Sequence, residues 1–297
     1  MNKKNVVLVL VVGLVAISFG SIFVKLCTAP SLIIASYRLG IASIFYLALA
    51  RINNDSIWTN LQWSQRKVAI ISGLFLTLHF TTWITSLKFT SVASSVVLVQ
   101  SAPIFVGIGS YIFLRERPGR WTIAGILITL SGAIMISAHD FTMDRASLIG
   151  NILAVMGAIG AAGYMIAGRK LRVSVSTKQY VTVVYTICAV LIIVIAILNG
   201  QNFVGYPGSE YIYLIAAALL PQIIGHTVFN WALKYFTATT VSVVLLGEPI
   251  GASILAYIIL RENISLLKII GGAIIISGVT IVLLSENIST RKKSKSQ

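Results

Sequence analysis

Ten apolar runs, each near the length of a bilayer-spanning helix, follow one another along this chain. A bilayer core takes about 20 predominantly apolar residues per helix. In that unit the segments fall near 5–27, 30–50, 67–88, 93–114, 119–138, 147–168, 179–199, 211–233, 239–260 and 266–285. The connections are short and leave no room for an inserted soluble domain. Residues are 57% hydrophobic and only 10% charged, against about 25% charged in a soluble domain. So few charges cannot cover a soluble surface, which excludes an ordinary cytosolic enzyme, a disordered chain and a disulfide scaffold. The expected fold is an all-α integral membrane protein of ten transmembrane helices. The run from Val6 to Val24 exceeds the apolar core of about 7–15 residues in a signal peptide, so the first segment reads as a retained helix.

The net charge of +15 follows the membrane rather than a nucleic acid, because no basic domain stands apart from the apolar spans. With the N-terminus inside, 17 of the 23 Lys and Arg fall on the cytoplasmic side. Five (Lys25, Lys88, Arg145, Arg261 and Lys268) fall opposite, and Arg38 lies within a span. This positive-inside bias places both termini in the cytoplasm. Trp58 and Trp63 suit the headgroup layer, and Cys27 and Cys188 read as small apolar residues.

Sliding the sequence on itself by 146 positions without a gap aligns Leu87-Lys88 with Leu233-Lys234 and Pro103-Ile104 with Pro249-Ile250. The same register aligns Leu114-Arg115-Glu116 with Leu260-Arg261-Glu262, Gly125 with Gly271 and Gly132 with Gly278. Pro, Arg-Glu and Gly in one register are hard to obtain by chance in an apolar chain. The halves are read as 1–140 and 145–286, followed by a basic disordered tail over 287–297. Each half holds five helices, an odd number, so the second enters the membrane inverted. Inverted repeats are typical of secondary transporters, whose sites lie near the midplane between the halves.

The pattern resembles the ten-helix EamA branch of the drug/metabolite transporter superfamily. The resemblance rests on Ser18-Phe19-Gly20-Ser21, Ala35-Ser36-Tyr37-Arg38, Leu246-Gly247-Glu248-Pro249-Ile250 and Leu260-Arg261-Glu262-Asn263-Ile264-Ser265. The last is similar to the family's Leu-Gly-Glu-x-x-Ser signature with Arg261 in the Gly place, and Phe19 stands where a Trp is common. The resemblance implies a permease of the cytoplasmic (inner) membrane that exports amino acids or related metabolites.

Ionisable groups at membrane depth cost about 2.5–3.5 kcal/mol on insertion scales, which makes them functional candidates. Glu248 lies beside Pro249 and after Gly247 in helix nine. It suits a cation, a coupling proton, an ion pair or a helix cap. Arg38 suits a substrate carboxylate, a helix end or the headgroups. His79 and Trp83 share one face of helix three, and His226 and Asn230 one face of helix eight. Gln100 and Ser101, just before Pro103, with Tyr164 and Ser21, complete the expected cavity wall. Pro103, Pro249 and Gly247 are expected helix breaks or hinges. Arg115-Glu116 and Arg261-Glu262 read as end caps, with gating as the alternative.

No catalytic constellation, metal-ligand spacing, cofactor motif or Walker A sequence is expected or found in the residues. The expected partners are a small-molecule substrate, the lipid bilayer and a coupling proton, with no nucleic acid and the oligomeric state open. The function this points to is alternating-access efflux of an amino acid or related metabolite. The rivals are a carrier for a nucleotide-like or phosphorylated metabolite and a non-transporting helical scaffold or receptor.

Overall fold

A computed structural model of the chain describes residues 3–54, 57, 61–86, 88–90, 95, 98–137, 145–261 and 265–294. Leu87, Glu262, Asn263, Ile264 and Trp58, named above, lie outside these residues, as does most of the stretch before Leu98 assigned to helix four.

Among the described residues the chain forms ten helices: α1 (Lys3–Leu26), α2 (Ser31–Ile52), α3 (Trp63–Ser86), α4 (Ala102–Leu114), α5 (Arg120–Ser137), α6 (Arg145–Arg172), α7 (Thr177–Leu198), α8 (Gly208–Ala232), α9 (Ala238–Leu260) and α10 (Leu266–Ser294). Seven are long and apolar enough to cross a membrane, and α4, α5 and α10 carry shorter apolar stretches. The helical backbone of α10 continues to Ser294, through positions where an irregular tail was expected.

Local chemistry sets the ends. Pro30 is extended ahead of α2, and Ser176 and Thr237 cap α7 and α9 by accepting the N–H of Gln179 and Thr240. Two long helices are interrupted. In α8 a π-helical turn spans Ala218–His226 around Pro221, which has no N–H to continue the ladder. In α9 the first segment ends at Leu245, and a second starts at Glu248, with Gly247 at its cap and Pro249 in its first turn.

The packing carries the inverted repeat. Helices α5 and α10 meet at glycines: a Cβ on Gly125 would sit 2.8 Å from the Gly278 carbonyl oxygen, and one on Gly132 2.7 Å from that of Gly271. Chain numbers rise along α5 as they fall along α10, so the pair is antiparallel. The 146-residue offset turns Gly125 into Gly271 and Gly132 into Gly278, so it exchanges the two contacts. An interface unchanged when its halves are swapped has two-fold symmetry. The remaining packing repeats the exchange: α3 lies on α6 as α8 lies on α1, and α2 pairs with its own counterpart α7. Small residues allow the close approach here too, Gly160 against the backbone of His79 and Gly225 against that of Ile17.

The largest buried side chains, Tyr180, Tyr185, Phe80, Leu76 and Leu39, lie where α2, α3 and α7 meet. The outward faces stay apolar, with Ile44 68% and Phe113 72% exposed. Apolar groups on the outside as well as inside are what a lipid surround requires.

Candidate functional site

A cavity of about 110 Å³ lies between the two halves, walled by α1, α2, α3 and the start of α4 on one side and by α6, α8 and α9 on the other. Most of its wall is apolar, from Ile17, Val99, Met165, Phe229, Leu245 and Leu246. The polar groups on it are few, which makes their placement informative.

Arg38 comes from the middle of α2 and is only 2% exposed. Its Nε donates to Oε1 of Gln222 at 2.9 Å, and its guanidinium carbon lies 4.8 Å from the centre of the Phe80 ring. Gln222 sits in the π-helical turn of α8, fully buried, and its Nε2 has no partner among the described residues. The fork is therefore held from one side by an amide and an aromatic face.

Glu248 opens the second segment of α9, where the N-terminal helix dipole favours a negative charge. Its backbone carbonyl accepts from the Ser18 hydroxyl at 3.3 Å. Its carboxylate faces the cavity with no ion pair or hydrogen bond among the described residues. Glu248 and Arg38 thus line one cavity without touching. Buried charges are costly unless paired, and here the guanidinium is partnered by Gln222 and Phe80.

His79 and Trp83 stack at 5.7 Å with their planes 9° apart. The Nδ1 of His79 is 2.9 Å from the Gly157 carbonyl oxygen. A carbonyl only accepts, so Nδ1 carries the hydrogen and Nε2 is the nitrogen left to exchange a proton. Among the described residues, Trp83 Nε1 is buried with no partner, as is Oε1 of Gln100, just ahead of α4. On α8, both Nδ2 hydrogens of Asn230 are used, one on the Tyr164 hydroxyl and one on the Tyr185 hydroxyl. His226 ends the π-helical turn with its ring 5.6 Å from Phe80.

The structure therefore brings Arg38, His79, Trp83, Gln100, Pro103, Tyr164, His226, Asn230 and Glu248 to one cavity. It does not bring Ser21 or Ser101 there. Both hydroxyls are turned back on their own backbone, Ser21 to the Ser18 carbonyl at 3.4 Å and Ser101 to that of Leu98 at 2.6 Å. Gly247 and Pro249 lie behind the wall and shape the break in α9. Sequence reasoning missed Ser242 and Phe229 on the wall, and Gln222 behind it. A lone Gln in the apolar run of α8 was the available signal for Gln222. Among the described residues no three His, Cys, Asp or Glu side chains converge as metal ligands.

Both ends of the bundle are tied across the two halves. Where α6 and α8 finish, Arg169 Nε donates to Glu116 Oε1 at 2.8 Å, and another Arg169 nitrogen donates to the Leu233 carbonyl at 2.7 Å. At the opposite end the Glu210 carboxylate accepts the Ala29 N–H at 2.7 Å and the Thr28 hydroxyl at 3.1 Å. Arg115-Glu116 was read as an end cap: Arg115 takes the left-handed conformation (φ 56°) that closes α4, and Glu116 is held by Arg169.

The EamA-like transporter family model matches this chain twice, over residues 4–138 and 148–284. An uncharacterized transporter of Archaeoglobus fulgidus is 25% identical over 287 residues, 95% of this chain and 99% of the relative. The uncharacterized transporter YxxF of Bacillus subtilis is 23% identical over 288 residues, 95% of this chain and 90% of the relative. A crystal structure of another protein matches with a TM-score of 0.80 and 19% identity, over 96% of this chain and 99% of that one, a likeness of fold. Two family matches covering most of the chain, on ten helices around a central cavity, identify a multi-pass membrane transporter that belongs to the EamA-like transporter family.

Proposed function

We propose that the chain carries a small zwitterionic metabolite of the amino-acid class across the cytoplasmic membrane, outward, by alternating access. The observation that supports this reading is that Arg38 and Glu248 line one cavity with no ion pair between them. A ligand with a carboxylate at one end and an ammonium at the other satisfies both charges at once. Arg38 offers the carboxylate its terminal N–H groups, and Glu248 receives the ammonium. The apolar wall takes the side chain.

The direction is supported by the position of the cavity. Its wall reaches Leu233 at the end of α8, the end that the loop charges assign to the cytoplasm, along with both termini. A solute entering from that side has the shorter path. Movement is assigned to rocking of the two halves, with α4 and the broken α9 flanking the site. The Arg169–Glu116 and Glu210–Thr28 ties open in turn. The coupling proton is assigned to Glu248 or to Nε2 of His79.

A nucleotide-like or phosphorylated substrate is less well supported, because Arg38 is the one Lys or Arg on the described wall. A scaffold has no use for opposed charges facing a cavity. Counterflow into proteoliposomes with a panel of amino acids and metabolites tests the reading. The expected result is exchange of α-amino acids, and exchange of phosphorylated metabolites alone would refute it. In the same vesicles, either Glu248→Gln or His79→Gln is expected to remove the dependence on a pH gradient. Full dependence in both variants would remove these two residues from the proton's path.

A further inference from the structure

The π-helical turn of α8 is a rare backbone conformation, and Pro221 removes one of its donors. Two carbonyls of this turn are met by side-chain hydroxyls. The Tyr46 hydroxyl, from α2, donates to the Ile223 carbonyl at 3.2 Å and to the Thr227 hydroxyl at 3.0 Å. The Thr227 hydroxyl donates to the Gln222 carbonyl at 3.4 Å and lies 3.3 Å from the Tyr185 hydroxyl of α7. A hydroxyl has one hydrogen and two lone pairs. With its hydrogen on Gln222, Thr227 accepts from both tyrosines and is saturated. Tyr185 in turn accepts from Asn230, whose other amide hydrogen goes to Tyr164 on the cavity wall.

This junction grips the turn at the residue that holds Arg38. Gln222 gives its backbone carbonyl to Thr227 and its side-chain oxygen to Arg38 Nε. Arg38 and Tyr46 lie eight positions apart on α2, about two helical turns, so one helix holds the turn at two points. Tyr46 and Tyr185 are buried with their rings edge-on, 6.0 Å between centres, so both hydroxyls come from side chains locked by packing. A shift of the turn carries Gln222 Oε1 with it, and the guanidinium bonded there follows.

We infer that Tyr46 and Thr227 are positioning residues for Arg38. Their hydroxyls fix the π-helical turn that carries Gln222, and through Gln222 the direction in which the guanidinium meets a substrate carboxylate. This inference rests on the reading of Arg38 as the partner of that carboxylate, and adds what holds Arg38 in register.

The test is KM against maximal rate in counterflow, for the α-amino acid that exchanges fastest in the panel. The variants are Arg38→Gln, Tyr46→Phe, Thr227→Val and Thr227→Ser, with Thr227→Val also placed in Gln222→Leu. KM does not depend on how much protein folds, so a lower yield leaves it intact. Tyr46→Phe and Thr227→Val keep the side-chain shape and lose the hydroxyl. Each is expected to raise KM by about fivefold, the size of one buried hydrogen bond, with less effect on the maximal rate. Thr227→Ser keeps the hydroxyl and is expected to stay within about twofold of wild type. In Gln222→Leu, adding Thr227→Val is expected to raise KM no further, because the link to Arg38 is already cut. Unchanged KM in both hydroxyl-free variants would overturn the inference. So would a Thr227→Ser variant as impaired as Thr227→Val, or a full further loss on top of Gln222→Leu. In those cases a raised KM in Arg38→Gln leaves the carboxylate reading standing. Unchanged KM in Arg38→Gln, or no exchange of any α-amino acid, would overturn both.

Discussion

The turn ahead of α4 and the break in α9 have the same backbone and different chemistry. In the first, the Ser101 N–H bonds to the Leu98 carbonyl and the Ile104 N–H to that of Ser101, at 3.2 and 2.9 Å. In the second, Gly247 bonds to Val244 and Ile250 to Gly247, at 3.0 and 3.1 Å. All three positions differ by the same 146 residues. The helices that follow end alike, at Arg115 and Arg261, each with φ 56°. Yet Ala102 stands in the first half where Glu248 stands in the second, and Val184 stands where Arg38 would repeat. The scaffold is duplicated, and the charged site is not. An amino acid has unlike ends, so a site that kept the two-fold symmetry would offer like groups to unlike ones. A symmetric backbone suits two mirrored states of access, while an asymmetric lining suits one polar solute.

Moving the charge breaks this comparison most severely. Glu248→Gln is expected to reduce amino-acid counterflow by at least about 30-fold, the lower limit for losing one member of a desolvated charge pair. Adding Ala102→Glu to Glu248→Ala should not restore it, because Val184 stands where the repeat would supply that position with its own arginine. Restored exchange in that double variant would mean that the halves are chemically equivalent. Next comes the anchor of Arg38. Gln222→Leu removes the acceptor for Nε and should raise KM for amino acids more than it lowers the maximal rate, by about tenfold or more for a hydrogen bond to a charged group. Gln222→Glu keeps an acceptor and should recover much of that loss in KM, and equal KM values in the two variants would remove Gln222 from the site.

Changes to the scaffold should act on both halves alike. Gly132→Val and Gly278→Val, related by the repeat, each push a side chain against the facing helix, at the carbonyl oxygens of Gly271 and Gly125. Each is expected to destabilise by about 1–3 kcal/mol, read as thermal unfolding in detergent. Closely matched losses would support the two-fold interface, and a loss at only one of the two positions would argue against it. The smallest effect is expected at Ser101→Ala. Its hydroxyl bonds only to its own turn, so counterflow should stay within about twofold of wild type, as for removal of a single local hydrogen bond near 0.5 kcal/mol.

Much of the fold was legible because the bilayer reduces it to counting. Runs such as Thr177–Leu198, capped by Ser176, need only length and apolarity to be placed. The repeat was legible because Pro103 and Pro249, and the paired glycines of α5 and α10, mark positions where any other residue changes the backbone or the packing. Facing across helices was not legible. Nothing local ties Arg38 to Gln222 or Glu116 to Arg169, since those pairs form only when separate helices meet. The π-helical turn at Ala218–His226 rotates the rest of α8, so helical spacing alone does not carry Gln222 and His226 to their places. Ser21 and Ser101 misled for a simple reason: a serine in a helix often bonds its own backbone instead of facing a cavity.

One measurement bears most directly on the opposed charges. Counterflow of an amino acid would be competed with its des-amino acid and its des-carboxy amine, in wild type, Arg38→Gln and Glu248→Gln. In wild type, neither analogue should compete well. In Glu248→Gln the des-amino acid should gain on the amino acid, and in Arg38→Gln the des-carboxy amine should gain. Matching of each variant to its own analogue is the predicted result. The same competition pattern in all three proteins would contradict the placement of a zwitterion between Arg38 and Glu248.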